Sequence, residues 1–209
     1  MHVYFVRHGE TELNANHIHQ SPNTPLSKEG KATMITLADS LRVINPDLLI
    51  SSQYTRAEES ARIIGEHVGL VPQTHDLFYE IIRPSKLHNK SIFTIETIWY
   101  VFLTLLRRHN ALWRYADAEN VTDISIRAQK ALAYIESLKG THTSVIVVSH
   151  TVFINVMVSY MCKNRVLDIR DLVSTVLRSK GMKNGGVTHV EYVGNGVPNT
   201  CNWRMVDDV

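Results

Sequence analysis

A guanidinium and an imidazole stand side by side in Arg7-His8-Gly9-Glu10, and the same two residue types recur as Arg56 and His150. A neutral imidazole nitrogen can attack phosphorus in line and form a phosphohistidine. Its other nitrogen must then be held by a partner, for which the Gly9 carbonyl is the candidate. Planar guanidinium groups offer paired donors to the oxygens of a transferring phosphoryl group, over which negative charge is spread. His150 would donate to the same oxygens, best in its protonated form. Thr11 and Asn14 add hydrogen-bonding groups near His8, with Asn14 serving either phosphate and substrate or the turn itself. The bland alternatives are surface ion pairs for the arginines and core positions for the histidines.

The elements that must carry these groups decide between the two. His2 to Val6 alternates and is β-branched or aromatic, so it reads as a strand running straight into Arg7 and His8. Leu48-Leu49-Ile50 and Val145 to Val148 are short, continuous apolar runs, as buried parallel strands require. The first is followed by Ser51-Ser52-Gln53-Tyr54-Thr55-Arg56-Ala57 and the second by Ser149-His150. In open α/β sheets ligands bind beyond the carboxyl ends of the strands. Each group of interest therefore falls where such a fold keeps its site. Helices are expected from about Lys28 to Val43 with Ser27 as cap, and from a Thr55–Glu58 capping box to about His67. Further helices are expected from a Thr122 or Asp123 cap to about Leu138, from Val152 to about Cys162 and from about Ile169 to Leu177. Val71 to Thr74 is a short strand candidate. Val187 to Val193 reads as an alternating strand, with Cys201 to Val206 its antiparallel partner at an edge. Ile92 to Tyr115 reads as helical, very apolar and aromatic. Core packing is the ordinary reading of that stripe, with an apolar lid over the site or a homodimer contact as the alternatives.

Taken together, Arg7-His8-Gly9-Glu10-Thr11…Asn14, Leu26-Ser27…Gly30, Ser51-Ser52…Arg56-Ala57 and Ser149-His150 resemble the pattern of the histidine phosphatase superfamily, also called the phosphoglycerate mutase-like family. The resemblance implies an α/β fold in three layers, α/β/α, with a mostly parallel central sheet. It implies one domain over 1–209 with a helical cap insertion at about 80–120. It further implies a metal-independent phosphomonoester phosphatase working through phospho-His8, with Arg7, Arg56 and His150 on the phosphoryl oxygens. The family carries a general acid in a loop after the second helix, and Leu77-Phe78-Tyr79-Glu80 resembles that segment. One carboxyl there can protonate the leaving oxygen and later deprotonate the attacking water. Glu10 would stand beside the nucleophile as a supporting residue. Thr151 stands where members commonly have Gly, Gln53-Tyr54 where they often have Pro-Leu, and Thr33 where a Gln is usual. These departures bear on loop geometry and on substrate contacts, among which Glu10, Thr11, Asn14 and Thr151 are counted. Mutases of the family usually continue from the acid into a Tyr-Gly…Leu-Gln-Gly-type segment. Ile81 to Lys90 departs from it, which favours a phosphatase over a mutase. A module that binds phosphorylated ligands without turnover is the alternative from another class.

Composition sets the outer bounds. With 22 Lys and Arg against 20 Asp and Glu, net charge is +2, and no chain-wide basicity points to nucleic acid or a membrane. The expected partner is a small phosphorylated molecule drawn by a local pocket. The apolar run from Ile92 to Leu106 carries Glu96 and falls short of the roughly 20 residues of a spanning helix. The amino-terminal residues lack a signal-peptide plan, and Cys162 and Cys201 lack CxxC spacing. Reduced thiols and a cytoplasmic location are the expectation. The eleven histidines, His17-Ile18-His19 above all, raise a metal reading. No third or fourth ligand follows at suitable spacing, so no metal and no cofactor are expected, and His17 and His19 read as solvated or substrate-facing.

Overall fold

The computed structural model of the chain describes residues 1–161, 181–194 and 201–206. The expected helix at about Ile169 to Leu177 lies outside them. The described elements are β1 (His2–Arg7), α1 (Glu12–Ala15), α2 (Lys28–Arg42), β2 (Leu48–Ser51), α3 (Thr55–Val68), β3 (Gln73–Thr74), α4 (Ile95–Leu106), α5 (Val121–Ser137), β4 (Ser144–Ser149), α6 (Thr151–Tyr160), β5 (Val187–Tyr192) and β6 (Trp203–Val206), with a 3₁₀ turn at Ser85–Leu87.

The six strands form one sheet in the order β3-β2-β4-β1-β5-β6. The first four run parallel, and β5 and β6 are antiparallel additions at one edge. Period-2 alternation sorts the central strands between two cores. Val3, Phe5, Ile50, Val145 and Val147 pack with Ala128, Ala131 and Ile135 of α5 and Phe153 and Met157 of α6. Tyr4, Val6, Leu49, Ile146 and Val148 pack on the other face with Met34, Ala38 and Leu41 of α2 and Ala57, Ala61 and Ile64 of α3. A sheet between two helical layers is the architecture the sequence suggested.

Three adjacent strands, β2, β4 and β1, end in register at one edge of the sheet. Arg7 is paired with Ser149, and Ser51 with Val148. The ladder continues one step past the strands, with His8 N donating to Ser149 O at 3.0 Å and Ser52 N to Val148 O at 2.9 Å. The loop after β1 is pressed against the start of α2. A Cβ on Gly30 would stand 2.1 Å from Glu10 O, so this close approach of two backbones needs glycine.

Several local expectations are corrected. The cap of α5 is Asn120, whose side chain accepts from Asp123 N while Asp123 accepts in return. Asn120 satisfies the capping box three residues ahead of Asp123, so neither Thr122 nor Asp123 is the cap. Helix α3 is preceded by Tyr54 with no side-chain cap bond, so Thr55 is its first residue and not its cap. Only Ile95–Leu106 of the aromatic segment is helical: Thr94 caps it, and after Arg107 the Asn110 side chain accepts from Leu112 N and Trp113 N, turning the chain. Its aromatics are not mainly core either. Tyr100 is buried, while Phe93, Trp99 and Phe102 are exposed. His19 is buried rather than solvated, bonded to Thr97 Oγ1 at 2.9 Å and to Arg83 at 3.1 Å. Cys201 is disulfide-bonded, against the expectation of a reduced thiol, and Cys162 lies outside the described residues. Among the described residues no helix is long and apolar enough to cross a membrane.

Candidate active site

His8 is buried just past β1, and its Nδ1 lies 2.6 Å from the Gly9 carbonyl oxygen. A carbonyl can only accept, so Nδ1 carries the hydrogen and Nε2 keeps its lone pair. Arg56 Nε donates to that Nε2 at 3.3 Å, and Arg56 Nη1 reaches Ser21 O at 3.0 Å. Ser60 ties the two sides together. Its hydroxyl donates to Arg56 O at 2.7 Å and accepts from Gly9 N at 3.0 Å. One helical turn of α3 thus fixes both the loop after His8 and the arginine facing it.

His150 stands between the end of β4 and the start of α6. Its ring lies 5.0 Å from that of His8, centroid to centroid. Ser52 Oγ is 2.8 Å from His150 Nε2 and accepts from Tyr54 N at 3.3 Å. Arg7 Nη1 donates to the carbonyl of Met182. Two donor-capable atoms here, Arg7 Nε and His150 Nδ1, are buried without a hydrogen-bond partner among the described residues. A buried polar atom left unpaired costs about 1–3 kcal/mol. Two of them near His8 are donors left available to an acceptor.

Burial, with the charges of Arg56 and Arg7 added, holds His8 well below the ordinary histidine value. His150 is driven the same way by burial, Arg56 and His8, so it is neutral before an anion binds. Burial lowers Arg56 to about 10, which leaves it charged at neutral pH.

Glu80 comes from the loop after β3. Its carboxylate accepts from Phe153 N at 3.1 Å, Val152 N at 3.3 Å and Ile81 N at 3.0 Å. It therefore sits on the first turn of α6 and satisfies N–H groups that have no partner within the helix. The field of Glu80 is felt at both Arg7 and Arg56, so all five charged or imidazole groups singled out in the sequence share one neighbourhood.

The profile of the histidine phosphatase superfamily (branch 1) matches residues 3–199. The chain belongs to that superfamily. Among its relatives in sequence is "Probable phosphoglycerate mutase GpmB" of Enterobacter sp. (strain 638), 28% identical, with the match covering 92% of this chain and 85% of the relative. A GpmB of the same description from Citrobacter koseri is 25% identical over the same shares. In fold, the chain resembles a mycobacterial glucosyl-3-phosphoglycerate phosphatase with a TM-score of 0.76 at 21% identity, covering 99% of this chain and 97% of that one. It also resembles the alpha-ribazole phosphatase from Shigella flexneri with a TM-score of 0.73 at 16% identity, covering 100% and 96%.

The remaining expected site residues are engaged in other contacts. Thr11 is buried and caps α1, exchanging bonds with Asn14: Thr11 Oγ1 donates to Asn14 Oδ1 at 2.8 Å and accepts from Asn14 N at 3.1 Å. Asn14 Nδ2 donates to Asn184 Oδ1 at 3.2 Å, so the turn-holding role of Asn14 is the one present. Glu10 Oε1 lies 3.4 Å from Ser27 Oγ, and Glu10 acts on Arg7 through its charge. Thr151 opens α6 beside His150 and is buried.

Sequence reasoning missed the support behind Glu80. Arg127 of α5 forms a buried two-pronged ion pair with Glu119, Nε to Oε1 at 2.9 Å and Nη2 to Oε2 at 2.8 Å. Arg127 Nη1 also donates to Tyr79 O at 2.7 Å and Leu77 O at 3.2 Å. Glu119 Oε2 accepts from Ile82 N at 2.9 Å. The pair thus grips the chain on both sides of Glu80. Among the described residues no cluster of three His, Cys, Asp or Glu could hold a metal ion.

Proposed function

We propose that the chain is a phosphomonoester phosphatase that works through a phosphohistidine on His8, without a metal. In the first step the lone pair on His8 Nε2 attacks phosphorus and the ester P–O bond breaks. The leaving oxygen takes its proton from the Glu80 carboxyl. In the second, Glu80 takes a proton from water as its oxygen attacks phosphorus and the N–P bond breaks, releasing inorganic phosphate and free His8. Arg7, Arg56 and His150 hold the equatorial oxygens throughout. The observation that carries this reading is the Nδ1–Gly9 carbonyl bond, which leaves Nε2 as the nucleophilic atom in a pocket with two unpaired buried donors.

Ser52 supplies the tautomer of His150. Its oxygen accepts from Tyr54 N and lies 2.8 Å from His150 Nε2; with the Ser52 hydrogen turned to that nitrogen, Nδ1–H is left for the phosphoryl group. A bound dianion then favours the imidazolium that the empty site disfavours. Phosphoryl transfer back to a substrate, as in a mutase, is the second reading, favoured by the description of the GpmB relatives. Both use the same first half-reaction.

The test is hydrolysis of p-nitrophenyl phosphate in excess chelator, with alkaline denaturing quench of the intact chain, His8→Ala and Glu80→Gln. A phosphoryl adduct that is acid-labile and present in Glu80→Gln but absent from His8→Ala is expected. Activity abolished by chelator would overturn the metal-free route. Phosphorylated His8 that transfers to phosphoglycerate faster than to water would make the chain a mutase.

A further inference from the structure

Helix α4 is amphipathic in the wrong sense for a folded protein. Its buried residues are Thr97 and Tyr100, which join it to His19 and to the small cluster of Leu87 and Ala118. Ile95, Ile98, Trp99, Phe102 and Leu106 fall within one arc of about 100° on the opposite side, at the i, i+3, i+4, i+7 spacing of a single stripe. All five are exposed, from 50% at Phe102 to 81% at Ile95. Trp99 and Phe102 stack with ring centroids 5.4 Å apart, and Phe93, 71% exposed, extends the stripe towards the start of the helix. Scattered exposed apolar residues are ordinary, but a contiguous stripe marks an interaction surface.

Charge says what meets it. Between positions 81 and 116 six residues are Lys or Arg against one acid, Glu96, whereas the rest of the chain has 16 basic and 19 acidic residues. The near-neutral total hides this segregation. Lys90 pairs with Glu96 and Arg114 with Asp123. Lys86, Arg107 and Arg108 have no carboxylate partner among the described residues. A second copy of the chain would set two basic caps against each other. A helix of 12 residues is too short to span a bilayer, yet a basic-flanked stripe of Trp, Phe, Ile and Leu is what lies in the interface of an anionic one. We infer that the outer face of α4 docks on an anionic membrane surface, with Trp99 and Phe102 among the acyl chains and the exposed Arg107 among the headgroups. The chain-wide balance on which a membrane was discounted does not register this local face. The inference does not depend on the phosphatase reading.

The experiment is co-sedimentation of the full chain with phosphatidylcholine vesicles and with mixed phosphatidylcholine–phosphatidylglycerol vesicles. Binding to the mixed vesicles only, weakened by salt, is expected. Each Lys or Arg near such a surface is worth about five-fold in partitioning, so Arg107→Gln should weaken it by about five-fold. Trp99→Ser with Phe102→Ser should abolish it. Circular dichroism and thermal melting, unchanged in both variants, show that the fold is intact whether or not the chain hydrolyses phosphate esters. Equal binding to neutral vesicles, no binding to either, or a concentration-dependent dimer that Trp99→Ser disperses would each overturn the inference.

Discussion

Replacing Arg127 separates holding the fold from holding the acid. Arg127→Ala leaves the Glu119 carboxylate with Ile82 N and the Tyr79 hydroxyl but without its bidentate partner, in a place where the side chain is 9% exposed. Removing one member of a buried pair costs about 3–5 kcal/mol. The two remaining bonds place this case at the low end, about 3 kcal/mol. In a chain of this size each kcal/mol lowers the melting temperature by about 2–4 °C, so a drop of about 6–12 °C is expected. The same change frees the carbonyls of Leu77 and Tyr79 and the stacking of Arg127 on the Tyr79 and Phe153 rings, at 3.8 and 4.0 Å. Glu80 then keeps its own bonds to α6 but loses the anchor at Leu77 and Tyr79, while Ile82 N is held only by a Glu119 that has lost its bidentate partner. A misplacement of about 1 Å costs about 100-fold in rate. The expected loss is therefore in kcat, with KM changed by less than about three-fold, because Arg7 and Arg56, proposed to hold the phosphoryl group, are untouched. The double variant Arg127→Met with Glu119→Leu decides the matter. Apolar replacement of a whole buried pair is often neutral or stabilising, so its melting temperature should return towards wild type. Its kcat should not, since no side chain then grips the loop. Steady-state hydrolysis of an aryl phosphate beside thermal melting gives both readings. A kcat that recovers together with stability would refute the positioning role and leave the pair purely structural.

Stability should also depend on pH in a defined direction. His8 and His150 lie well below the usual 6.5, chiefly through burial, and burial with the Arg83 charge lowers His19 to about 4. In the unfolded chain each binds a proton near 6.5, so below that pH the unfolded state holds more protons. The contribution is whole above about pH 6.5 and is lost as pH falls, for His19 down to about 4. Melting temperature followed from pH 8 to pH 4 should fall through this window, and His19→Gln should flatten part of the fall; a difference between the two proteins that is constant with pH would refute it. Gly30→Ala tests the contact between loop and helix. In a solvent-facing helix this change stabilises by up to about 1 kcal/mol. Here the added Cβ meets Glu10 O at 2.1 Å, a backbone atom that must move, so destabilisation of about 1–3 kcal/mol and a loss of activity are expected. A raised melting temperature would show that the loop after His8 yields freely.

What the sequence reveals of the fold is what short-range pattern determines. Continuous apolar runs at Leu48 and Val145 identify buried strands, and strand ends identify the site, because in a parallel sheet those ends converge whatever the loops do. His8, Arg56 and His150 are legible for that reason, and the Gly9 carbonyl because it is one residue from the ring it holds. The support for Glu80 is not legible in the same way. Arg127 sits in α5 among charged and apolar residues that look like any helix surface, and its partners lie 8 residues away at Glu119 and 48 residues away at Tyr79. One trace existed: Arg127 falls beside Ala128 and one turn before Ala131, on the face that packs inward, where an unpaired arginine would be costly. The outer stripe of α4 was hidden for a different reason. Periodicity locates an apolar face but not the side on which the rest of the protein stands. Thr97 and Tyr100 turn inward because their hydroxyl and ring meet His19 and Leu87, and that choice forces Trp99 and Phe102 outward. The polarity of the helix is thus set by two contacts made far from it in sequence. The same contacts tie the exposed face to Arg83, which bonds His19 and lies close enough to act on Arg56 by its charge. The face proposed to dock on a membrane and the arginine proposed to hold the phosphoryl group are thus linked through Thr97, His19 and Arg83.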